Sequence, residues 1–144
     1  MNYAQRNTWT QLVAMSLGVA IYLAIVLPQL ATRAPAEVAW QWPMIWTCVG
    51  AIAASIASSI LWGIVAGMID RDEEHAADHR DREIGWYGDR VGQAFAIAGG
   101  LGALVLTMLQ AHWFWIGNAL YLGFFLAAFA GAVARLAAYR RGTP

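Results

Sequence analysis

The sequence predicts an all-α integral membrane protein, a bundle of four transmembrane helices with both termini in the cytoplasm. Composition is the first reason: 60% of the 144 residues are hydrophobic, only 12% are charged, and the mean hydropathy is +0.49. Soluble domains run at about 45–50% apolar and about 25% charged, so a soluble enzyme is excluded. The second reason is segregation, because the charged residues fall between four apolar stretches at about 10–31, 43–69, 91–110 and 115–138. A third is the absence of any period-2 alternation in those stretches, which argues against strands; a spanning sheet would also have to close into a barrel of at least about eight strands. The whole chain, 1–144, reads as one domain with a charged cytoplasmic loop at 70–90.

Each stretch is long enough to span, since a hydrocarbon core of about 30 Å needs about 20 residues at about 1.5 Å of rise each. The first stretch precedes Ala34-Pro35-Ala36, which has the small-x-small form of a signal cleavage site. It is longer than the 7–15 residues of an h-region, so it reads as the first helix, with signal-anchor behaviour as the alternative. None of the four stretches holds an Asp, Glu or Lys, and Arg135 is the one charge in them, near an end. There it is expected to snorkel to the inner headgroups, with pairing to Asp70 or Asp89 as the alternative.

Orientation follows from arginine, as the chain has no lysine. Arg6, Arg71, Arg80, Arg82, Arg90, Arg135, Arg140 and Arg141 fall on one side of an even number of spans and Arg33 on the other, a bias of eight to one. The positive-inside rule makes the arginine-rich side cytoplasmic. Aromatic belts fit that placement, with Trp40, Trp42, Trp46, Trp113, Phe114 and Trp115 at the outer face and Trp9, Trp86, Tyr87 and Tyr139 at the inner; Trp62 falls inside a span. The expected location is the cell membrane, as a multi-pass protein of the bacterial inner-membrane type.

Small residues recur at i+4 along the spans. Helix two carries Ala51, Ser55, Ser59, Gly63 and Gly67, and helix four Ala119, Gly123, Ala127 and Gly131; shorter runs are Ser16, Ala20 and Ala24 in helix one and Gly92, Ala96 and Gly100 in helix three. In lipid such stripes let backbones approach, and van der Waals contact with serine hydrogen bonds supplies the association. They are expected to pack the helices within one chain, with a homo-oligomer seam as the alternative.

The segment 70–90 holds Asp70, Asp72, Glu73, Glu74, Asp78, Asp81, Glu83 and Asp89, eight of the nine carboxylates, together with His75 and His79. Without Gly or Pro between Gly67 and Gly85, helix two is expected to continue into the cytosol, with Asp78/Arg82 and His79/Glu83 as i,i+4 partners and a turn at Gly85 to Gly88. Two readings stay open: a solvated, charge-paired helix hairpin that docks another protein, or a metal site in which His75 and His79 share a face with Asp72, Asp78 and Glu83.

At Asp78-His79-Arg80-Asp81-Arg82-Glu83-Ile84, and again at Gly88-Asp89-Arg90-Val91-Gly92, the chain resembles a group of small bacterial four-helix membrane proteins of unknown function. Their central cytoplasmic loop reads D-x-R-D-x-E-I ahead of helix three, and His79 stands where that pattern usually has Glu. The resemblance covers residues 78–92 and implies a four-helix topology; it brings no catalytic residues with it.

Several functions are missing what they need. Proton-coupled export requires a carboxylate inside a span, and membrane haem requires facing histidines there, whereas His112 lies alone at the outer end. No nucleophile-and-base or metal signature marks an enzyme, and no resident cofactor is expected. Zero formal net charge argues against nucleic acid, and the single cysteine, Cys48, excludes an intramolecular disulfide. The expected partners are the lipid bilayer and either a second copy or a larger membrane protein. The expected role is a non-catalytic packing, sensing or accessory subunit. The alternative is a homo-oligomeric channel or small-molecule transporter, lined by Ser55, Ser58, Ser59, Thr107 or Asn118.

Overall fold

The computed structural model describes the backbone of residues 3–69 and 74–141 and the side chains of residues 5–64 and 80–141. Among them are four long helices, α1 (Tyr3–Thr32), α2 (Gln41–Ile69), α3 (Glu74–Met108) and α4 (Trp113–Arg141), with one 3₁₀ turn at Pro35–Glu37 and no strand. Each helix contains a segment long and apolar enough to cross a membrane: Gln5–Thr32, Gln41–Ile64, Arg80–Met108 and Trp113–Arg141.

The helices stand in a row, α2–α1–α4–α3, because packing is most extensive between α3 and α4, next between α1 and α2, and then between α1 and α4. Their pairings run antiparallel. Ser59 on α2 donates to Asn7 on α1 at 3.1 Å, and a Cβ on Gly18 would lie 3.7 Å from that of Ala51. The start of α1 and the end of α4 therefore share one end of the bundle with the start of α3. This charged end holds Arg6, Asp81, Asp89, Arg135 and Arg140, and the opposite, aromatic end holds the two short connections.

Two differences from the sequence reading have physical causes. The segment expected as a loop to residue 90 is mostly helix, because α3 begins at Glu74 and runs through Gly85 and Gly88 without a break. The described part of the charged extension, from Glu74 on, thus belongs to α3. A glycine inside a helix costs about 1 kcal/mol relative to alanine, which is too little to force a turn when the site packs tightly. Gly88 does pack tightly: an added Cβ would meet Gly131 O at 2.7 Å and run into the Arg135 side chain.

The second difference is at the aromatic end. Trp42, Trp46, Trp113 and Trp115 face outward, but Trp40 and Phe114 do not belong to that belt. They are buried with Tyr22, Val26 and Val38 in the core, where the Trp40 and Phe114 rings meet edge to face at 6.0 Å. The 3₁₀ turn folds the connection inward, and Gln29 holds it there by accepting a hydrogen bond from Ala39 N–H at 3.2 Å. Trp62 lies within the Gln41–Ile64 segment, as expected, beside Arg6, whose guanidinium is 5.5 Å from its ring centroid, and its indole N–H donates to Thr10 at 3.2 Å.

The α3–α4 connection is short and closed by hydrogen bonds. Ala111 N–H reaches Leu106 O at 2.9 Å and Gln110 N–H reaches Thr107 O at 3.0 Å, with Gln110 at φ 54°. This is a Schellman cap in which glutamine occupies the left-handed position that usually takes glycine. His112 then caps α4, its Nδ1 accepting from Phe114 N–H at 3.2 Å.

Candidate functional site

The seam between α3 and α4 is built from glycine. A Cβ on Gly99 would lie 2.6 Å from Gly123 Cα, and one on Gly92 would lie 2.7 Å from Ala127 O. Backbone therefore meets backbone at three levels, Gly88/Gly131, Gly92/Ala127 and Gly99/Gly123, and Ala103 is buried farther along. Such contact brings many weakly attracting atoms within van der Waals range, the main source of helix association in lipid.

Toward the charged end two side-chain bonds cross the same seam. Arg135 ion-pairs with Asp89, its stem lying over Gly88. Tyr139 donates its hydroxyl to Asp81 Oδ1 at 2.9 Å. Of the two expectations for Arg135, pairing with Asp89 is the observed one, and it results from α3 being helical at residue 89 and from Gly88 leaving room for the arginine stem.

Beside these bonds the first turns of the α3 span and the last turns of α4 wall a cleft of about 350 Å³. Its walls are Arg80, Glu83, Ile84 and Tyr87 from α3, and Ala134, Ala137, Ala138 and Arg141 from α4. The alanines form an apolar floor, while the polar groups come mostly from α3 and, with Arg141, from the last residue of the other wall. Of the four residues expected to mark this segment, Arg80 and Glu83 line the cleft, Asp81 is held by Tyr139, and Arg82 is exposed.

A second polar cluster ties α1, α2 and α4 together nearer the aromatic end. Tyr22 donates to Asn118 Oδ1 at 2.5 Å, and Asn118 Nδ2 donates to Phe114 O at 2.8 Å. The Thr47 and Tyr121 hydroxyls are 3.3 Å apart, and the rings of Tyr22 and Tyr121 lie 4.8 Å apart. Sequence reasoning reached Asn118 but not its tyrosine partner, since nothing in the spacing of Tyr22 announces a bond to a residue 96 positions away.

The expected packing residues separate into groups. Ala51, Ser55 and Ser59 are half-buried, with Ala51 and Ser59 against α1; Gly63 is exposed, and the side-chain position of Gly67 lies outside the described residues. Gly123, Ala127 and Gly131 all lie on the α3–α4 seam. In α3 the seam uses Gly88, Gly92, Gly99 and Ala103, so the expected Gly92, Ala96, Gly100 register fails at Gly100, which faces outward with nothing within 4 Å. In α1 the close approach is at Gly18, and Ala20 and Ala24 are exposed.

Of the metal-site residues, Asp72 and the side chains of His75, Asp78 and His79 lie outside the described residues, and Glu83 is a wall of the cleft. Among the described residues no three His, Cys, Asp or Glu side chains gather to hold a metal ion. Of the polar residues expected to line a pore, Ser58 donates to Ser55 O, Ser59 bonds Ser55 O and Asn7, Thr107 donates to Ala103 O, and Asn118 is engaged with Tyr22. Compared with known protein families, with curated proteins and with solved structures, the chain matches none.

Proposed function

We propose that this chain is a non-catalytic packing, sensing or accessory subunit of a larger membrane assembly, in a membrane of the bacterial inner type, with both termini in the cytoplasm. The observation that carries the reading is the outward face of α3. Gly100 sits on it in open space, and Gln93, one heptad earlier on the same face, has no hydrogen-bond partner among the described residues. A helix glycine that packs against nothing costs about 1 kcal/mol relative to alanine, and an unpaired amide in a lipid-facing position costs more. Both costs are removed by a helix that packs on this face, since glycine admits a close backbone and glutamine bonds across it. Gly50 on α2 is likewise exposed with nothing within 4 Å, so the opposite edge of the row offers a similar approach.

The arginine bias supports the cytoplasmic placement of the charged end, where Arg6, Arg80, Arg135, Arg140 and Arg141 gather. The channel or transporter alternative draws less support, because Ser58, Ser59, Thr107 and Asn118 are hydrogen-bonded within the chain. A photo-reactive residue at position 93 in intact membranes is expected to give an adduct heavier than the 15.7 kDa chain. The same probe at outward-facing Val13 on α1 gives the background for lipid-exposed positions. Equal labelling at both positions would remove the reading.

A further inference from the structure

We propose that the cleft between the charged ends of α3 and α4 binds the phosphodiester headgroup of an anionic phospholipid. Its position is the first ground. The cleft is walled by residues 80–87 and 134–141, the ends of two spans, which is the depth at which lipid phosphates meet a transmembrane helix. Its charge is the second. Arg80 and Arg141 both line it, and neither has an ion-pair or hydrogen-bond partner among the described residues.

Of the described carboxylates near them, only Glu83 lines the cleft. Asp81 accepts the Tyr139 hydroxyl and Asp89 pairs with Arg135, which leaves Glu83 as the one acidic wall residue. Two arginines against one carboxylate give the walls a net charge of +1, the complement of one phosphodiester. A zwitterionic headgroup would leave that charge unmatched. Guanidinium groups suit phosphate oxygens, which accept their N–H donors in a charge-assisted geometry, and the Tyr87 hydroxyl adds a donor on the same wall.

Shape supplies the third ground. Ala134, Ala137 and Ala138 leave an apolar floor beside Ile84, suited to the glycerol backbone and the first methylenes of the acyl chains. The volume of about 350 Å³ is within the usual range for small-molecule sites, about 300–1,000 Å³. The arginine-phosphate contacts fix the headgroup, and the alanine floor receives the glycerol and the upper acyl chain.

The test uses the full chain in neutral detergent, titrated with phosphatidylglycerol or phosphatidylcholine and read by native mass spectrometry and by thermal unfolding. Phosphatidylglycerol is expected to bind saturably at one site per chain and to raise the melting temperature, with phosphatidylcholine binding at least about tenfold more weakly. An Arg80→Gln, Arg141→Gln double variant should lose that preference, while Arg140→Gln, at an exposed position outside the cleft, should keep it. Ala137→Leu retains every charge and fills the floor, so it should also weaken phosphatidylglycerol binding, and it guards against a double variant that folds poorly. Equal binding of the two lipids by the wild type, or an undiminished preference in both the double variant and Ala137→Leu, would overturn the proposal. Equal stabilisation by inorganic phosphate at matched concentration would also overturn it, by showing that a free anion suffices without the lipid.

Discussion

At Gly99 the α3–α4 seam leaves no room for a methyl group, whereas one residue later Gly100 has nothing within 4 Å. The two glycines are adjacent in sequence, have the same intrinsic helix propensity and differ only in what they face. Gly99→Ala would put its Cβ against Gly123 backbone, which cannot rotate away as a side chain can, and is expected to destabilise the bundle by about 1–3 kcal/mol. Gly100→Ala is expected to be neutral or to stabilise the isolated chain by up to about 1 kcal/mol. Reversible unfolding in mixed micelles measures both; equal effects would mean that the seam is elsewhere. Tyr22→Phe tests the other cluster, because it removes the donor to Asn118 Oδ1 while keeping the ring beside Tyr121. The expected loss is about 0.6 kcal/mol, and at most about 1.7, the range for interhelical hydrogen bonds in membranes. The sequence could not separate Gly99 from Gly100: Gly99-Gly100-Leu101-Gly102 offers small residues on more than one helix face, and only the partner helix decides which is used.

At the scale of elements, the four helices long and apolar enough to span were legible because a span needs only about 20 uncharged apolar residues, a signal carried by composition. The start of α3 was not. Gly85 and Gly88 look like turn residues around Trp86-Tyr87, but the Gly131 backbone and the Arg135 stem meet Gly88 inside a continuous helix. Trp40 and Phe114 were read as interfacial anchors for a related reason, since a tryptophan beside a span suits either a belt or a core until the path of the connecting loop is known. Element ends also show where the sequence departs from the most favourable choice. Gln110 holds φ 54° at the end of α3, a conformation costing a non-glycine residue roughly 1–2 kcal/mol. Gln110→Gly is therefore expected to raise stability by up to about 1 kcal/mol, the added backbone entropy of glycine in the unfolded chain offsetting part of the gain. A lower melting temperature in that variant would show that the Gln110 side chain contributes a contact outweighing its backbone strain.

For the whole molecule, the row α2–α1–α4–α3 leaves two edge helices, and each carries a glycine on its outward face, Gly50 on α2 and Gly100 on α3. The row also gathers the arginines of three separate segments at one end, which the positive-inside rule turns into an orientation. In a Cys48→Ala background, a cysteine at the exposed position 80 is expected to react with an impermeant maleimide only after the cytoplasmic side is opened, and one at exposed Trp42 to react in intact cells. The reverse pattern would invert the assignment. Whether the outward α3 face meets another protein is decided by the mass of the particle released in mild detergent, corrected for bound detergent. Protein mass is expected well above the 15.7 kDa of one chain, falling to that value in Gly100→Leu while α-helical content is unchanged. A wild-type particle containing one chain and no other protein would mean that this face meets only lipid, and the subunit reading would fall.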